Sequence, residues 1–367
     1  MWDLAARINQ HVAVFGALYR VRKCHKAGID NKGALLTNDT ILIDKLTVIR
    51  RKRDRSHLCM RFCAAMVAVA TLVGSQGAAH AADKISVAVI PIGDCAPIYL
   101  GIAKGFFAKQ NLEIELSTAG GGAAIMPSVL AGQMQFGFTN VPSMLIAQNK
   151  GLQFIGVAPG ASSTGERGRD FAAVVAPNDS PIQNAKDLTG KTVAINNLNN
   201  IGDTSVRAGV RAAGGDPKQV KFIEVPFPDM PAALAEHRIE AAWLVEPFVT
   251  LARERGAKVV DWNLVDVAPQ VMIALYFTTP KYAKENPDIV KRFKAAISES
   301  LAYADAHNDE VRQIIPTYTR ITPEIAAKIT LPRWPTEFNR QSSQALADDA
   351  LDDGLITKKA DIPALLP

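Results

Sequence analysis

Cysteine is scarce in this chain. Four occur in 367 residues, and Cys24, Cys59 and Cys63 precede residue 82, which leaves Cys95 alone in the remainder. A single thiol forms no internal disulfide, so a disulfide scaffold is excluded for that part of the chain. Histidine is nearly as sparse, with six residues. His237 and His307 have no ligand-type neighbours in sequence and read as surface residues, not metal ligands. Long apolar runs are missing too: Phe62–Val73 falls well short of the roughly 20 residues that a spanning helix needs. Positive charge, +5 overall, is absent where nucleic-acid binding would need it, because residues 1–82 carry a balance of +8 and the remainder −3.

Catalytic patterns are also absent. Gly190, Lys191 and Thr192 resemble the end of a phosphate-binding loop, but the glycine required five residues earlier is Ala185, and the strand follows the loop instead of preceding it. Gly160–Gly165 misses the spacing of a nucleophile elbow. Cys95 lies at a predicted helix start, where a thiolate would be stabilised; with no histidine nearby it reads as a small pocket-wall residue.

What is present is an internal repeat. Gln133–Pro142, ending at Gly151, is echoed by Arg238–Pro247, ending at Gly256; Pro142 and Pro247 are 105 residues apart, as are the two glycines. Each copy predicts a short strand, a proline suited to a helix start and a glycine stop. Strands are predicted at 84–91, 111–117, 152–158, 171–176, 191–195, 220–225 and 272–277, the last returning to the first lobe. Between them lie helices, one opening after Gly93 and Asp94 with Asp94 as N-cap, another after Gly202 and Asp203. Further helices are predicted over 288–307, 309–317, 323–329 and 336–352. Alternating strands and helices imply an α/β, two-lobed architecture with mostly parallel sheets and a ligand at the strand carboxyl ends.

Met60 and Arg61, the apolar stretch after them and Ala79-His80-Ala81 have the layout of a secretory signal peptide cleaved after Ala81, which predicts a periplasmic protein. Residues 1–59 are either a disordered leader or lie upstream of a start at Met60. The predicted division is thus 1–59 leader, 60–81 signal peptide, 82–175 plus 271–367 lobe one with the C-terminal helices, and 176–270 lobe two.

Three segments resemble the periplasmic substrate-binding proteins of ABC importers in the nitrate/sulfonate/taurine and thiamine-pyrimidine group. Ala96–Phe107 with Leu112–Glu115 resembles the family's first helix and following strand. Ala131–Gly137 resembles its G-x-x-D-x-G element, with Gln135 where Asp is usual. Asp187–Val193 and Trp243–Phe248 resemble its lobe-two markers. The likeness runs from about Lys84 to the C-terminus. It implies a type II-like periplasmic-binding-protein fold, no enzymatic activity, no cofactor or metal, and a monomer that partners an ABC permease and ATPase. It also implies a ligand held between the lobes by Asp94, Cys95 and Ala96, by Gly121 and Gly122, by Thr139 and Asn140, by Asn197, Asn200, Ile201, Gly202 and Asp203, and by Glu246.

The residues themselves leave alternatives open. Glycines 120–122 let backbone N–H groups approach a ligand, or form a plain turn. Asp94, Asp203 and Glu246 gather at strand ends, with Arg207 the one obvious cation nearby. That favours a ligand that donates hydrogen bonds or carries positive charge, such as an amino-pyrimidine or an amino-sulfonate, and makes Glu246→Gln the natural test. If Asp94 and Asp203 only cap helices, an inorganic anion such as nitrate remains open, as does an exported enzyme of the same fold.

Overall fold

The computed structural model describes residues 81–367. The leader expected over 1–59 and the signal peptide expected over 60–81 lie, Ala81 aside, outside the described residues.

Ten strands build two five-stranded sheets among the described residues. The first holds β1 (Asp83–Val89), β2 (Leu112–Thr118), β3 (Phe136–Asn140), β4 (Ile155–Pro159) and β10 (Ala274–Thr278), in the order β2-β1-β3-β10-β4. The second holds β5 (Ala172–Pro177), β6 (Thr192–Ile195), β7 (Lys221–Glu224), β8 (Ala241–Val245) and β9 (Ala257–Asp261), in the order β7-β6-β8-β5-β9. In each sheet the first three strands run parallel, and the fourth lies antiparallel to both neighbours. The chain passes from the first sheet to the second between β4 and β5 and returns between β9 and β10. The return strand expected at 272–277 is β10, and the sequence repeat is β3 and β8, which take the same third place in their sheets.

Burial follows strand position. Every residue of β3, β5, β8 and β10 is buried, as expected of central strands covered on both faces. These are the runs of small and aliphatic residues such as Ala172–Pro177 and Ala241–Val245. The edge strands β2 and β7 carry exposed glutamates, Glu113 and Glu224 among them.

Helix Pro287–Ala306 buries Phe293, Ala296, Ile297, Ser300, Leu301 and Ala304, a stripe at three- and four-residue spacing. Through it Phe293 stacks on Phe136 of β3 with ring centroids 3.9 Å apart. The helix expected from residue 336 starts at Arg340, because Asn339 caps it by accepting the Ser342 N–H at 3.0 Å. Arg211 of helix Ile201–Ala212 forms ion pairs with Asp349 at 2.8 Å and Asp353 at 2.5 Å, tying that helix to helix Arg340–Asp352.

Candidate functional site

The carboxyl ends of the parallel strands of both sheets, with the start of β10, border one cleft whose cavity is about 30 Å³. The first sheet contributes Ile90, Ile92 and Asp94 from the loop after β1, Phe138, Thr139 and Asn140 from the end of β3, and Ile273 and Ala274 at the start of β10. The second contributes Asn196, Asn200 and Ile201 after β6, Phe227 after β7, and Trp243 and Val245 from β8.

Each side chain is placed for a local reason. Gly93–Cys95 forms a single 3-10 turn whose preceding residue, Ile92, gives no side-chain cap. The helix Ala96–Ala103 that follows also starts without one. Asp94 therefore caps nothing, contrary to the sequence-based expectation, and its carboxyl is free for other work. Asn140 does cap: its Oδ1 accepts the Ser143 N–H at 2.9 Å, which leaves its Nδ2 as the donor for the cleft. Asn200 and Asp203 form a capping box at the start of helix Ile201–Ala212. Asn200 Oδ1 accepts from Gly202 N at 2.7 Å and its Nδ2 donates to Asn196 Oδ1 at 2.9 Å.

Three polar atoms on the cleft walls are buried without any hydrogen-bond partner: Asp94 Oδ1, Thr139 Oγ1 and Trp243 Nε1. Native proteins leave few such groups, and each calls for an explanation. Asp94 is the one titratable side chain among the cleft's lining residues, and its pKa is pushed up to about 7. Burial is the main cause; a hydrogen bond to its own backbone opposes the shift, and the nearby Asp170 charge adds to it.

Five of the expected residues meet at this cleft: Asp94, Thr139, Asn140, Asn200 and Ile201. The others do not line it. Cys95 and Ala96 are fully buried behind it, and burial holds the Cys95 thiol well above its usual range. The glycines at 121 and 122 lie outside this cleft's lining and pack closely on neighbouring residues. A Cβ on Gly121 would lie 1.9 Å from Asn197 Oδ1, and one on Gly122 would lie 2.7 Å from the Thr139 Cα. Beside them Asn196 Nδ2 donates to the Gly120 carbonyl at 3.2 Å, so the lips of the two sheets touch here. Asp203 is spent on its capping box, accepting from Asn199 N at 2.8 Å and Asn200 N at 2.9 Å, and Gly202 supplies one of the capped N–H groups.

Glu246 is the main correction. Its carboxylate turns away from the cleft and accepts from Thr250 N at 3.0 Å, Thr250 Oγ1 at 2.7 Å and Thr330 N at 3.3 Å. Burial nevertheless raises its pKa to about 7 against these hydrogen bonds. Glu246→Gln is therefore no test of ligand charge. Arg207 also misses the cleft, donating to the Pro217 carbonyl and lying over the Phe222 ring.

Sequence reading overlooked Asn196, Phe227 and the side chain of Trp243. A signal for Trp243 existed: the 105-residue offset maps Phe138 onto Trp243 and Asn140 onto Val245, and all four line the cleft.

Comparison with known proteins follows the same lines. The sequence pattern of a family described as NMT1/THI5 like matches residues 93–311. YtlA, a candidate binding protein of Bacillus subtilis (strain 168), is 21% identical over 215 residues; the match takes in 58% of this chain and 63% of that protein's length. Among solved structures, a ligand-binding component of an ABC-type import system from Staphylococcus aureus, solved with zinc bound, superposes with a TM-score of 0.67 at 14% identity, covering 78% of this chain and 96% of that one. The periplasmic aliphatic sulphonate-binding protein SsuA of Escherichia coli gives 0.62 at 17% identity, covering 77% and 91%. The periplasmic nitrate-binding protein NrtA of Synechocystis PCC 6803 gives 0.64 at 14% identity, covering 77% and 84%. The chain shares with them the periplasmic-binding-protein fold.

Proposed function

Since this chain belongs to the NMT1/THI5-like family, we propose that it is an extracytoplasmic solute receptor of an ABC importer, closing its cleft on a small ligand with a hydrogen-bond-donating or cationic group at one end. The observation that carries this reading is the convergence of Asp94 Oδ1, Thr139 Oγ1 and Trp243 Nε1 on one cleft, each without a partner. An unmet buried polar group costs about 1–3 kcal/mol, and a ligand that meets all three recovers that cost on binding. Asp94 accepts, the Trp243 indole donates, and Thr139 does either. A molecule with an amino group for Asp94 and an acceptor for Trp243 fits, such as an amino-pyrimidine or a zwitterionic amino-sulfonate.

Residues 60–81 would direct export, and the lobe around the first sheet would close against the lobe around the second as a hinged pair before a permease and ATPase take the ligand, with the first crossing ahead of β5 (Ala172–Pro177) and not at the expected 175. The receptor acts as a diffusible monomer, which osmotic shock of cells should release.

Calorimetry and thermal shift with a panel of amino-pyrimidines, amino-sulfonates, simple amines and anions test the reading. The expected ligand binds, is recovered unchanged, and loses more than tenfold in affinity with Asp94→Asn, the effect of removing a charge-assisted hydrogen bond worth about 1.5–3 kcal/mol. Turnover of the bound compound would sink the receptor in favour of an enzyme of this fold.

A second reading has one observation behind it. With a pKa near 7, Asp94 can keep its proton and donate a hydrogen bond through it to an anion such as nitrate. The two readings differ in sign. A cationic ligand binds more tightly as pH rises through about 7, whereas an anion binds more tightly as pH falls through it.

A further inference from the structure

The cleft does not end at its polar wall. A second chamber, of about 300 Å³, shares Ile90, Ile92 and Phe227 with it and extends past Phe248 to a rim at Gly120 and Pro228. The floor is buried and the rim exposed. None of its lining side chains is titratable. A row of rings leads from one chamber to the other. Trp243 lies 6.0 Å from Phe227 between centroids, and Phe227 lies 5.9 Å from Phe248 with the two planes 13° apart. Trp243 belongs to the polar chamber, Phe248 to the apolar one, and Phe227 to both.

We propose that this annex is the subsite for a flat apolar body of the ligand, so that the substrate class is an aryl-alkyl amine with its amino group at Asp94 and its ring along Phe227 and Phe248. The inference rests on the receptor reading above and adds to it what the ligand's far end must be. Water in such a chamber has few polar partners, whereas an aromatic body meets the ring faces and leaves through the rim if it is longer than the chamber. The polar chamber, about 30 Å³ against about 300 Å³ for the annex, takes the head group only.

Gly120 supplies a clean test. A Cβ there would meet nothing within 4 Å, and its backbone lies outside the left-handed region. Gly120→Phe therefore adds a side chain at the rim of the annex whose Cβ meets no neighbour, while the Gly120 carbonyl still accepts from Asn196. The probes are ethylamine and 2-phenylethylamine, titrated calorimetrically into the wild-type protein and Gly120→Phe, with melting temperature as the folding control.

The expected result is at least about tenfold tighter binding of 2-phenylethylamine by the wild type, the gain from burying one ring. Gly120→Phe should erase that advantage and leave ethylamine binding within about twofold. Equal affinity for the two amines, or an advantage that survives Gly120→Phe, overturns the annex and leaves the receptor reading standing. Binding of neither amine overturns the annex together with the amine seat at Asp94.

Discussion

Trp243 and Asp94 divide the polar work of the cleft between a permanent donor and a switchable acceptor. The indole Nε1–H of Trp243 is buried and unpartnered, so any acceptor on the ligand gains a hydrogen bond that costs the protein none of its own. Trp243→Phe keeps a ring beside Phe227 and deletes that donor. The expected loss is about 0.5–1.5 kcal/mol, roughly two- to tenfold in affinity, measured on the folded protein because the smaller ring at this buried position also leaves a cavity that lowers the melting temperature. Calorimetry of the two proteins checks this; an unchanged affinity would mean that the indole is not a ligand contact. For Asp94 the informative measurement is affinity against pH. With an amine that keeps its charge throughout, binding should weaken up to tenfold per unit below about pH 7 and level off above it, and Asp94→Asn should flatten the profile.

At the scale of elements, the helix starts decide what can reach the cleft. The 105-residue repeat was readable because strand, turn and helix recur with the same residue types, and β3 and β8 do occupy matching places in the two sheets. Which carboxylates face the cleft was not readable. Asp94, Asp203 and Glu246 look alike in sequence, each beside a helix start, yet Asp203 closes a capping box, Glu246 bridges Thr250 to Thr330, and only Asp94 keeps a buried oxygen, Oδ1, without a partner. The Thr330 partner lies 84 residues from Glu246, and no local pattern encodes a contact of that range. Phe227 and the apolar annex escaped notice for the same reason: their walls come from loops far apart in the chain. Two substitutions test these assignments. Gly122→Ala would push a methyl group onto the Thr139 Cα at 2.7 Å, so the helix Gly122–Leu130 must shift off β3. A marked fall in melting temperature and weaker ligand binding should follow, whereas at Gly120 alanine should change neither. Glu246→Ala should destabilise by about 1–3 kcal/mol in denaturant unfolding, since the Thr250 and Thr330 groups lose their acceptor, while the folded fraction keeps its ligand affinity. A selective loss of affinity would return Glu246 to the cleft.

For the whole molecule, the same buried carboxyls set how stability responds to pH. Asp94 and Glu246 have pKa values near 7, and Asp203 near 6, chiefly because burial disfavours the charged form. In the unfolded chain these groups ionise near the usual carboxylate range, so between about pH 4 and pH 7 the folded protein holds protons that the unfolded chain has released. Stability is then fully present below the unfolded values and falls as pH rises through the folded ones. Each such group contributes a slope of up to about 1.4 kcal/mol per pH unit while it is protonated only when folded. The free protein should melt at a higher temperature at pH 5 than at pH 8, the reverse of a protein held together by ionised carboxylates. Asp94→Asn removes one of these contributions, to which Asp261 and Asp349, also raised to about 6, add in the same sense, and should reduce the difference. An amine ligand should act in the opposite sense: paired with a cation, the Asp94 carboxylate no longer resists ionisation, and the ligand-induced rise in melting temperature should be larger at pH 8 than at pH 5. Scanning calorimetry of the free and amine-loaded protein across that range reads both trends. A free protein that melts higher at pH 8 would show that other groups outweigh these carboxyls, while a ligand shift that shrinks with rising pH would mark the occupant of the cleft as an anion.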